Sequence, residues 1–324
     1  YSWLAVLLGY PILGIWYWCS DQTIVQRVLG AKTQRDAQNG PLFAGFLKIL
    51  PLFLMVFPGV IGWIMFKNGA IHLPDGANGP DYNKVLPEMI KALVPPGLKG
   101  LLAAGLLAAL MSTIASALNS CATLISTDIV KKLRPQTGDQ RLVMIGRVST
   151  GVVMVLAMLW STQGGQFGTI FEAINKIPMV FAPAVTTLLV MGVFWPRGTN
   201  QAALTTCAVG CAVGVVYFIL DMPGIGRAIL GPEARQGFGG LVTDPVQGLG
   251  IPFMLVGPMI AALCVVIYVV VSLLTPAPAP ERIKDVCWTH PLAMLRGRLA
   301  GLGDPRIVAL VLLGVMVVLY AILR

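Results

Sequence analysis

The feature that most constrains this chain is a series of long apolar segments. A helix needs about 20 apolar residues to cross a bilayer. The composition, 56% hydrophobic and 11% charged, is more apolar than a soluble domain requires. We therefore predict an all-α polytopic membrane protein. Its transmembrane helices, about eight, are expected over residues 2–22, 42–67, 98–126, 142–161, 168–195, 200–221, 251–274 and 306–323.

Basic residues are concentrated in alternate loops, after the first, third, fifth and seventh spans. Loops rich in Lys and Arg stay in the cytoplasm. We therefore expect a multi-pass protein of the cell membrane (plasma or inner), with the loop around 275–305 inside and the loops 68–97 and 222–250 outside. Because the net charge of +9 is divided among loops, it gives no sign of nucleic-acid binding. The apolar composition makes the lipid bilayer the expected surroundings of this chain.

The residues that most enzymes and metal centres use are scarce. The two histidines, His72 and His290, both fall in loops, and no pair among the six cysteines has C-x-x-C spacing. Neither a disulfide framework nor a zinc site is supported. The spans also lack paired acids, so an intramembrane enzyme is disfavoured and we expect a protein that is not an enzyme.

The first span ends in a polar segment, residues 16–27, that a lipid environment does not explain. Asp21, Gln22 and Gln26 directly follow the apolar stretch and are still close to the hydrocarbon core. Each polar group there needs a partner. We interpret the segment as one continuous helix that carries a solute site at its middle. Gly14 is the position at which this helix is expected to loosen.

Aromatic and basic side chains in the first two spans are candidate substrate contacts. Tyr17 and Trp18 can stack on the apolar face of a sugar ring, and ordinary helix packing explains them equally well. Lys48 lies inside the second span, where an ammonium is costly unless it meets a partner or a hydrated cavity, or snorkels to the surface. The residues alone leave these alternatives open.

The third span carries a cluster of hydroxyls. Ser112 and Ser116 are one helical turn apart, and Thr113 flanks them. Hydroxyl and carbonyl oxygens suit a hard cation such as sodium. In the more common arrangement, however, such hydroxyls bond to carbonyls of their own helix and allow neighbouring helices to pack closely.

The fifth span is expected to be broken, because Pro178 and Pro183 interrupt its hydrogen bonds. Broken helices mark binding regions in transporters. Glu172 and Lys176 are four residues apart, in the order that favours an ion pair on one helix. Asn175 lies between them on another face of the same helix.

Several short motifs occur together, at residues 16–22, 24–27, 31–32, 46–48, 51, 58–59, 96–101, 109–112, 118–120, 127–129 and 194–195. Their combination closely resembles the sodium/glucose cotransporters of the sodium:solute symporter family. The likeness covers the first 200 residues well and the last three spans by pattern. Each motif alone is weak, but the joint match is specific.

The resemblance implies a leucine-transporter-type inverted-repeat fold, with two repeats of five helices plus extra helices. Residues 1–197 then correspond to the second repeat, and residues 198–324 to three additional C-terminal transmembrane helices with a cytoplasmic loop around 275–305. The first repeat is missing from this chain. We therefore expect the missing N-terminal repeat of the same protein as the partner that completes both binding sites.

The resemblance also implies substrate contacts. Tyr17 matches the aromatic that covers the sugar as an inner gate, Trp18 matches its neighbour, and Lys48 matches a lysine that contacts the sugar. Asn175 falls where the sugar transporters usually have Gln, whose amide reaches further. Gly14 stands where some relatives have Asn, so one sugar contact is expected to be absent.

A sodium site is implied in the third span. The family's common site takes a carbonyl and two hydroxyls from this helix, and these match Ala109, Ser112 and Thr113. Members that bind a second sodium have a further hydroxyl where this chain has Ala115. The resemblance therefore implies a sodium ion as the coupled ion, and it favours a single sodium.

We predict sodium-coupled symport of a sugar or polyol by alternating access. One alternative is a symporter of a different small solute, such as a carboxylate or an amino acid. Another is a transporter-fold sensor, which is disfavoured because no soluble signalling domain follows Arg324 in this sequence.

Overall fold

A computed structural model describes the chain at residues 3–76, 79–162, 170–221, 251, 253–283, 286–288, 301 and 303–322. The expected outer loop 222–250, most of the basic segment 284–300 and the side chain of Glu172 lie outside the described residues. The chain forms two compact units. Unit 1 comprises Tyr1–Val25 and Gly164–Arg298, and unit 2 comprises Gln26–Gln163 and Leu299–Arg324.

The described chain is mainly helical. In chain order its helices are α1 Trp3–Cys19, α2 Gln22–Leu29, α3 Gln34–Leu47, α4 Phe57–Lys67, α5 Val85–Leu93, α6 Pro96–Thr123, α7 Lys131–Leu133, α8 Asp139–Ser161, α9 Ile170–Met179, α10 Ala182–Phe194, α11 Asn200–Leu220, α12 Phe253–Leu274, α13 Pro280–Ile283 and α14 Pro305–Ile322. Two π-helical turns, Leu52–Val56 and Leu124–Val130, precede α4 and α7. A small antiparallel hairpin pairs Asp75–Gly76 with Gly79–Pro80, and a 3-10 turn, Tyr82–Lys84, leads into α5.

The predicted membrane spans are confirmed. Among the described residues, six helical segments are long and apolar enough to cross a membrane, and the number reaches eight when each of two bent helix pairs counts as one span. The bent pairs, α1 with α2 and α9 with α10, fall on the first and fifth predicted spans. The composition of each segment was therefore sufficient to locate it.

The first span bends by 46° between α1 and α2, and the position of this break corrects the sequence prediction. Helix α1 is continuous through Gly14. The Ser20 hydroxyl donates to the Trp16 carbonyl at 2.7 Å and so completes the last turn of α1. The Asp21 carboxylate accepts from the backbone N–H of Thr23 at 2.8 Å and caps the start of α2. The polar residues that we assigned to one continuous helix thus make the break.

The fifth span bends by 52° between α9 and α10, and here the predicted break is confirmed. Pro178 lies in the last turn of α9. Pro183 lies in the first turn of α10, where its missing N–H would have had no intrahelical partner. Both prolines are therefore placed where they end or begin a helix.

Unit 1 is stabilised by close packing among α1, α10, α11 and α12. Two glycines allow the helices to approach. A Cβ on Gly9 would lie 2.5 Å from the carbonyl oxygen of Met254, and one on Gly210 would lie 2.8 Å from the Cβ of Ala184. Within a bilayer such contacts matter because van der Waals packing, rather than the hydrophobic effect, holds helices together.

Unit 2 is more open than unit 1. Helix α6 packs against α8, and α3 packs against α14. The loop before α14 is fixed to α3 by Arg35 and Asn39, which donate to the Gly303 carbonyl at 3.0 and 3.1 Å. Along α6 most side chains are exposed, and Ser120 is its buried residue. This helix therefore presents most of its surface to lipid or to protein that is not described.

Candidate functional site

The predicted substrate residues lie at or beside interruptions in the membrane helices. Tyr17 and Trp18 precede the bend between α1 and α2, and Asn175 lies on α9, the short arm of the other bent pair. Lys48 follows α3 at a turn, and the π-helical turn Leu52–Val56 comes soon after. Interruptions of this kind release backbone groups from the helix and are frequent at functional sites.

Tyr17 and Trp18 form an edge-to-face aromatic pair. Their ring centroids are 5.6 Å apart and the rings are inclined by 87°. Both side chains are half-buried in unit 1. The pair combines an aromatic surface with the Tyr17 hydroxyl, so it offers a sugar-like solute both apolar contact and a hydrogen-bonding group.

Asn175 is the other predicted substrate residue of unit 1. Its Nδ2 donates to the Phe171 carbonyl one helical turn earlier, at 2.8 Å. The side chain is half-buried. This bond ties the amide to its own helix. The orientation of the amide therefore follows the orientation of α9.

Lys48 belongs to unit 2 and is exposed there. Its backbone N–H donates to the Ala44 carbonyl at 2.9 Å and ends α3. The structure thus brings Tyr17 and Trp18 into contact, places Asn175 in the same unit, and places Lys48 in the other.

The predicted sodium ligands lie on α6 in unit 2. The Thr113 hydroxyl donates to the Ala109 carbonyl at 3.0 Å, and the Ser116 hydroxyl donates to the Ser112 carbonyl at 3.0 Å. This is the self-bonded arrangement that the sequence left as an alternative. It still suits a cation, because a hydroxyl that donates its proton retains lone pairs on its oxygen. The Thr113 hydroxyl oxygen and the Ala109 carbonyl oxygen are close enough together to contact one ion.

The structure gives no sign of a transition-metal centre on the described part of the chain. No group of three or more His, Cys, Asp or Glu residues there could hold a metal ion. The oxygens around Thr113 belong to carbonyls and hydroxyls, which are neutral.

Two hydrogen bonds that the sequence did not predict join α2 to α6 within unit 2. Gln26 Nε2 donates to the Ser120 hydroxyl at 3.0 Å, and Arg27 Nη2 donates to the Ser116 hydroxyl at 2.6 Å. The polarity of Gln26 and Arg27 indicated that each side chain needs a partner. The partners themselves could not be identified from the sequence, because they lie some 90 residues further along the chain.

A third contact that the sequence did not predict is buried in unit 1. Lys176 of α9 forms an ion pair with Asp221, the residue that directly follows α11. The sequence had assigned Lys176 to Glu172, whose side chain is outside the described residues. A partner on another helix leaves no trace in sequence spacing.

Comparison with known proteins identifies related transporters. A model of the Sodium:solute symporter family matches residues 1–210. Sodium/myo-inositol cotransporter 2 of Oryctolagus cuniculus is 32% identical over 299 residues, which cover 88% of this chain and 42% of that protein. The sodium/mannose cotransporter SLC5A10 of Bos taurus is 33% identical, over 88% of this chain and 48% of its own length. Sodium/glucose cotransporter 4 of Danio rerio is 32% identical, over 89% and 44%. The chain thus spans less than half the length of each of these relatives.

Proposed function

We infer, since the chain belongs to the sodium:solute symporter family, that it forms part of a sodium-coupled symporter of a sugar or polyol. Its helices make it a multi-pass membrane protein. In the proposed cycle, sodium binding favours an outward-open state and solute binding then permits closure around Tyr17. Each ligand can shift this equilibrium only by its difference in affinity for the two states.

The observation that carries the proposal is the coincidence of helix interruptions with the expected substrate residues. Tyr17 and Trp18 stand beside a bend of 46°, and Asn175 stands on the short arm of a bend of 52°. Lys48 stands at a turn within the second span. A helix that only filled the bilayer would have no reason to break at these points, since each break releases backbone groups that must find new partners.

The chemistry of these side chains favours a neutral, polyhydroxylated solute. A phenol hydroxyl, an amide and an ammonium together donate and accept hydrogen bonds, and the aromatic pair suits the apolar face of a sugar ring. The relatives at 32–33% identity are named as cotransporters of myo-inositol, mannose and glucose. We therefore assign substrate contacts to Tyr17, Trp18, Lys48 and Asn175.

We assign sodium to Ala109, Ser112 and Thr113. Two of the required oxygens, the Ala109 carbonyl and the Thr113 hydroxyl, are 3.0 Å apart on one exposed face of α6. The relatives are named as sodium cotransporters, which supports the choice of ion. An ion on this face needs additional ligands from elsewhere in the protein, because one helix cannot surround it.

The remaining ligands are proposed to come from the first repeat of the inverted-repeat fold. The chain aligns with 42–48% of the length of the three relatives described above, and α6 exposes most of its side chains. That first five-helix repeat would cover this helix. The complete symporter is thus expected to contain both repeats, with residues 198–324 as additional C-terminal helices.

A symporter of carboxylates or amino acids is the second candidate, and the ammonium of Lys48 is the feature that favours it. Binding assays separate the two. Radiolabelled myo-inositol should bind to the purified full-length protein in sodium and not in choline, and unlabelled glucose or mannose should compete. Competition by acetate or proline, with none by sugars or polyols, would support the second candidate.

A further inference from the structure

The ion pair between Lys176 and Asp221 is the most deeply buried charged contact in the described part of unit 1. Lys176 is 6% exposed and Asp221 is 1% exposed. Burying two charges is expensive, and a pair of well-packed apolar residues would often stabilise a helical bundle as well or better. The burial of this pair is therefore weak evidence for a role in general stability.

Helix α9 requires an attachment of this kind. It has ten residues, too few to be stable alone. Because α9 is bent by 52° from α10, it is not a straight extension of that helix. Turn hydrogen bonds from Val180 and Phe181 to Ile177 and Pro178 join the two helices at the bend. Met179 holds its C-terminal end against Gly257, where any side chain would overlap the Met179 sulfur. Lys176 supplies a second attachment, to the end of α11.

Two attachments on different turns define the orientation of a helix. Met179 lies at the end of α9, and Lys176 lies about one turn before it. Met179 alone would allow α9 to pivot about its end or to rotate about its axis. The bond from Lys176 to Asp221 opposes both movements.

Asn175 immediately precedes Lys176, and neighbouring residues on a helix point about 100° apart. While Lys176 points to Asp221, Asn175 is therefore directed to a different side of α9. Its amide is tied to α9 by the bond from Nδ2 to the Phe171 carbonyl. If α9 rotates, this amide therefore rotates with it. Asparagine is one methylene shorter than glutamine, so it has little reach with which to compensate.

We propose that the Lys176–Asp221 pair is a positioning device for the substrate site: it fixes the orientation of α9 and thereby the direction of the Asn175 amide. This inference rests on the proposed function, since it takes Asn175 to contact the solute. Lys176 and Asp221 are positioning residues that act through Asn175 and do not touch the solute themselves.

The test uses the full-length protein in proteoliposomes, with myo-inositol as the solute and a saturating sodium gradient. The variant Lys176→Met with Asp221→Asn removes both charges together, so neither is left buried and unpaired. The half-saturating concentration of myo-inositol should rise about tenfold, the effect of losing one well-placed hydrogen bond, while the maximal rate stays within about twofold. A purely structural role would lower the amount of folded protein and leave the half-saturating concentration unchanged.

The control is another Lys–acid pair. Lys91 and Glu88 are 2.6 Å apart on α5, with Lys91 largely exposed. Neutralising this pair by Lys91→Met with Glu88→Gln should leave both kinetic constants unchanged. This control variant shows whether transport is disturbed by the loss of an ion pair that lies outside the proposed site.

Asp221→Glu provides a second variant in case the neutral double variant does not fold. It keeps both charges and moves the carboxylate by one methylene, so α9 is displaced while the pair persists. We expect the half-saturating concentration to rise by roughly threefold, as a weakened hydrogen bond would give. Unchanged half-saturation in Asp221→Glu, or in a folded double variant, would overturn the inference. Failure of the unmodified protein to take up any sugar or polyol would instead overturn the proposed function.

Discussion

The guanidinium of Arg27 donates a 2.6 Å hydrogen bond to the Ser116 hydroxyl, which in turn donates to the Ser112 carbonyl at 3.0 Å. A fixed positive charge therefore lies on the helix face next to the proposed sodium ligands. The preceding residue, Ala115, has no hydroxyl. Both features disfavour a second cation at this point, because Arg27 already occupies the Ser116 hydroxyl and a further ligand is absent.

We accordingly predict a coupling ratio of one sodium ion per solute. The ratio follows from parallel fluxes of radiolabelled sodium and myo-inositol into proteoliposomes. The variant Ala115→Thr should keep the ratio at one, since Arg27 still engages Ser116. A ratio of two in the unmodified protein would contradict this part of the account.

Removing a hydroxyl from the proposed sodium site should abolish sodium-driven uptake. Ser112→Ala and Thr113→Ala each delete one ligand oxygen, whereas Thr113→Ser keeps the oxygen and should remain active. Thr205→Ala is the matched control, because the Thr205 hydroxyl also donates to a carbonyl of its own helix, at 2.8 Å on α11. Uptake measured against sodium concentration distinguishes the variants. Wild-type sodium dependence in both alanine variants would move the site away from α6.

Two glycines on α1 should respond oppositely to replacement by alanine. A Cβ on Gly9 would lie 2.5 Å from the Met254 carbonyl oxygen, so Gly9→Ala forces α1 and α12 apart and should cost about 1–3 kcal/mol. Nothing lies within 4 Å of a Cβ on Gly14. Gly14→Ala should therefore stabilise the helix, by up to about 1 kcal/mol. Thermal unfolding of the purified protein in detergent measures both. Equal stability of the two variants would contradict the packing described for unit 1.

Lys48→Ala should weaken solute binding by roughly 1–3 kcal/mol, the usual effect of losing a charge-assisted hydrogen bond. Equilibrium binding of myo-inositol at fixed sodium gives the value directly. Lys67→Ala is the control at the far end of the same span, where the Lys67 ammonium lies 4.4 Å from the centre of the Trp63 ring. If the two variants bind equally well, Lys48 is not a substrate contact.

The positions of the spans and of the break between α9 and α10 could be predicted, because both depend on local residues. Span positions follow from the number of consecutive apolar residues that a bilayer requires. The break between α9 and α10 follows from Pro178 and Pro183, since proline removes helical hydrogen bonds wherever it stands. Neither inference needs knowledge of a distant partner.

The break between α1 and α2 was not predicted, because the segment 16–27 was interpreted as one continuous helix that loosens at Gly14. A glycine weakens a helix but keeps every backbone hydrogen bond, and in an apolar environment those bonds are strongly favoured, so α1 continues through Gly14. Asp21 and Ser20 instead offer side-chain oxygens that replace backbone partners at a helix end. Polar capping residues within a span are thus a better signal of a break than glycine is.

Tertiary partners could not be predicted from spacing. Asp221 lies 45 residues beyond Lys176, and Ser116 lies 89 residues beyond Arg27, so only the packing of helices brings them together. The roles of Tyr17, Trp18, Lys48 and Asn175, and of the sodium ligands on α6, remain predictions. They rest on family resemblance and on the positions of helix interruptions.

Sodium-driven accumulation of a polyol is the most direct test of the central claim. The full-length protein that carries this chain is reconstituted into proteoliposomes, and uptake of radiolabelled myo-inositol is compared under an inward sodium gradient and an equal choline gradient. The account predicts accumulation above the external concentration with sodium and simple equilibration with choline. Equal uptake under both gradients, or sodium-driven accumulation of acetate or proline with none of myo-inositol, mannose or glucose, would contradict it.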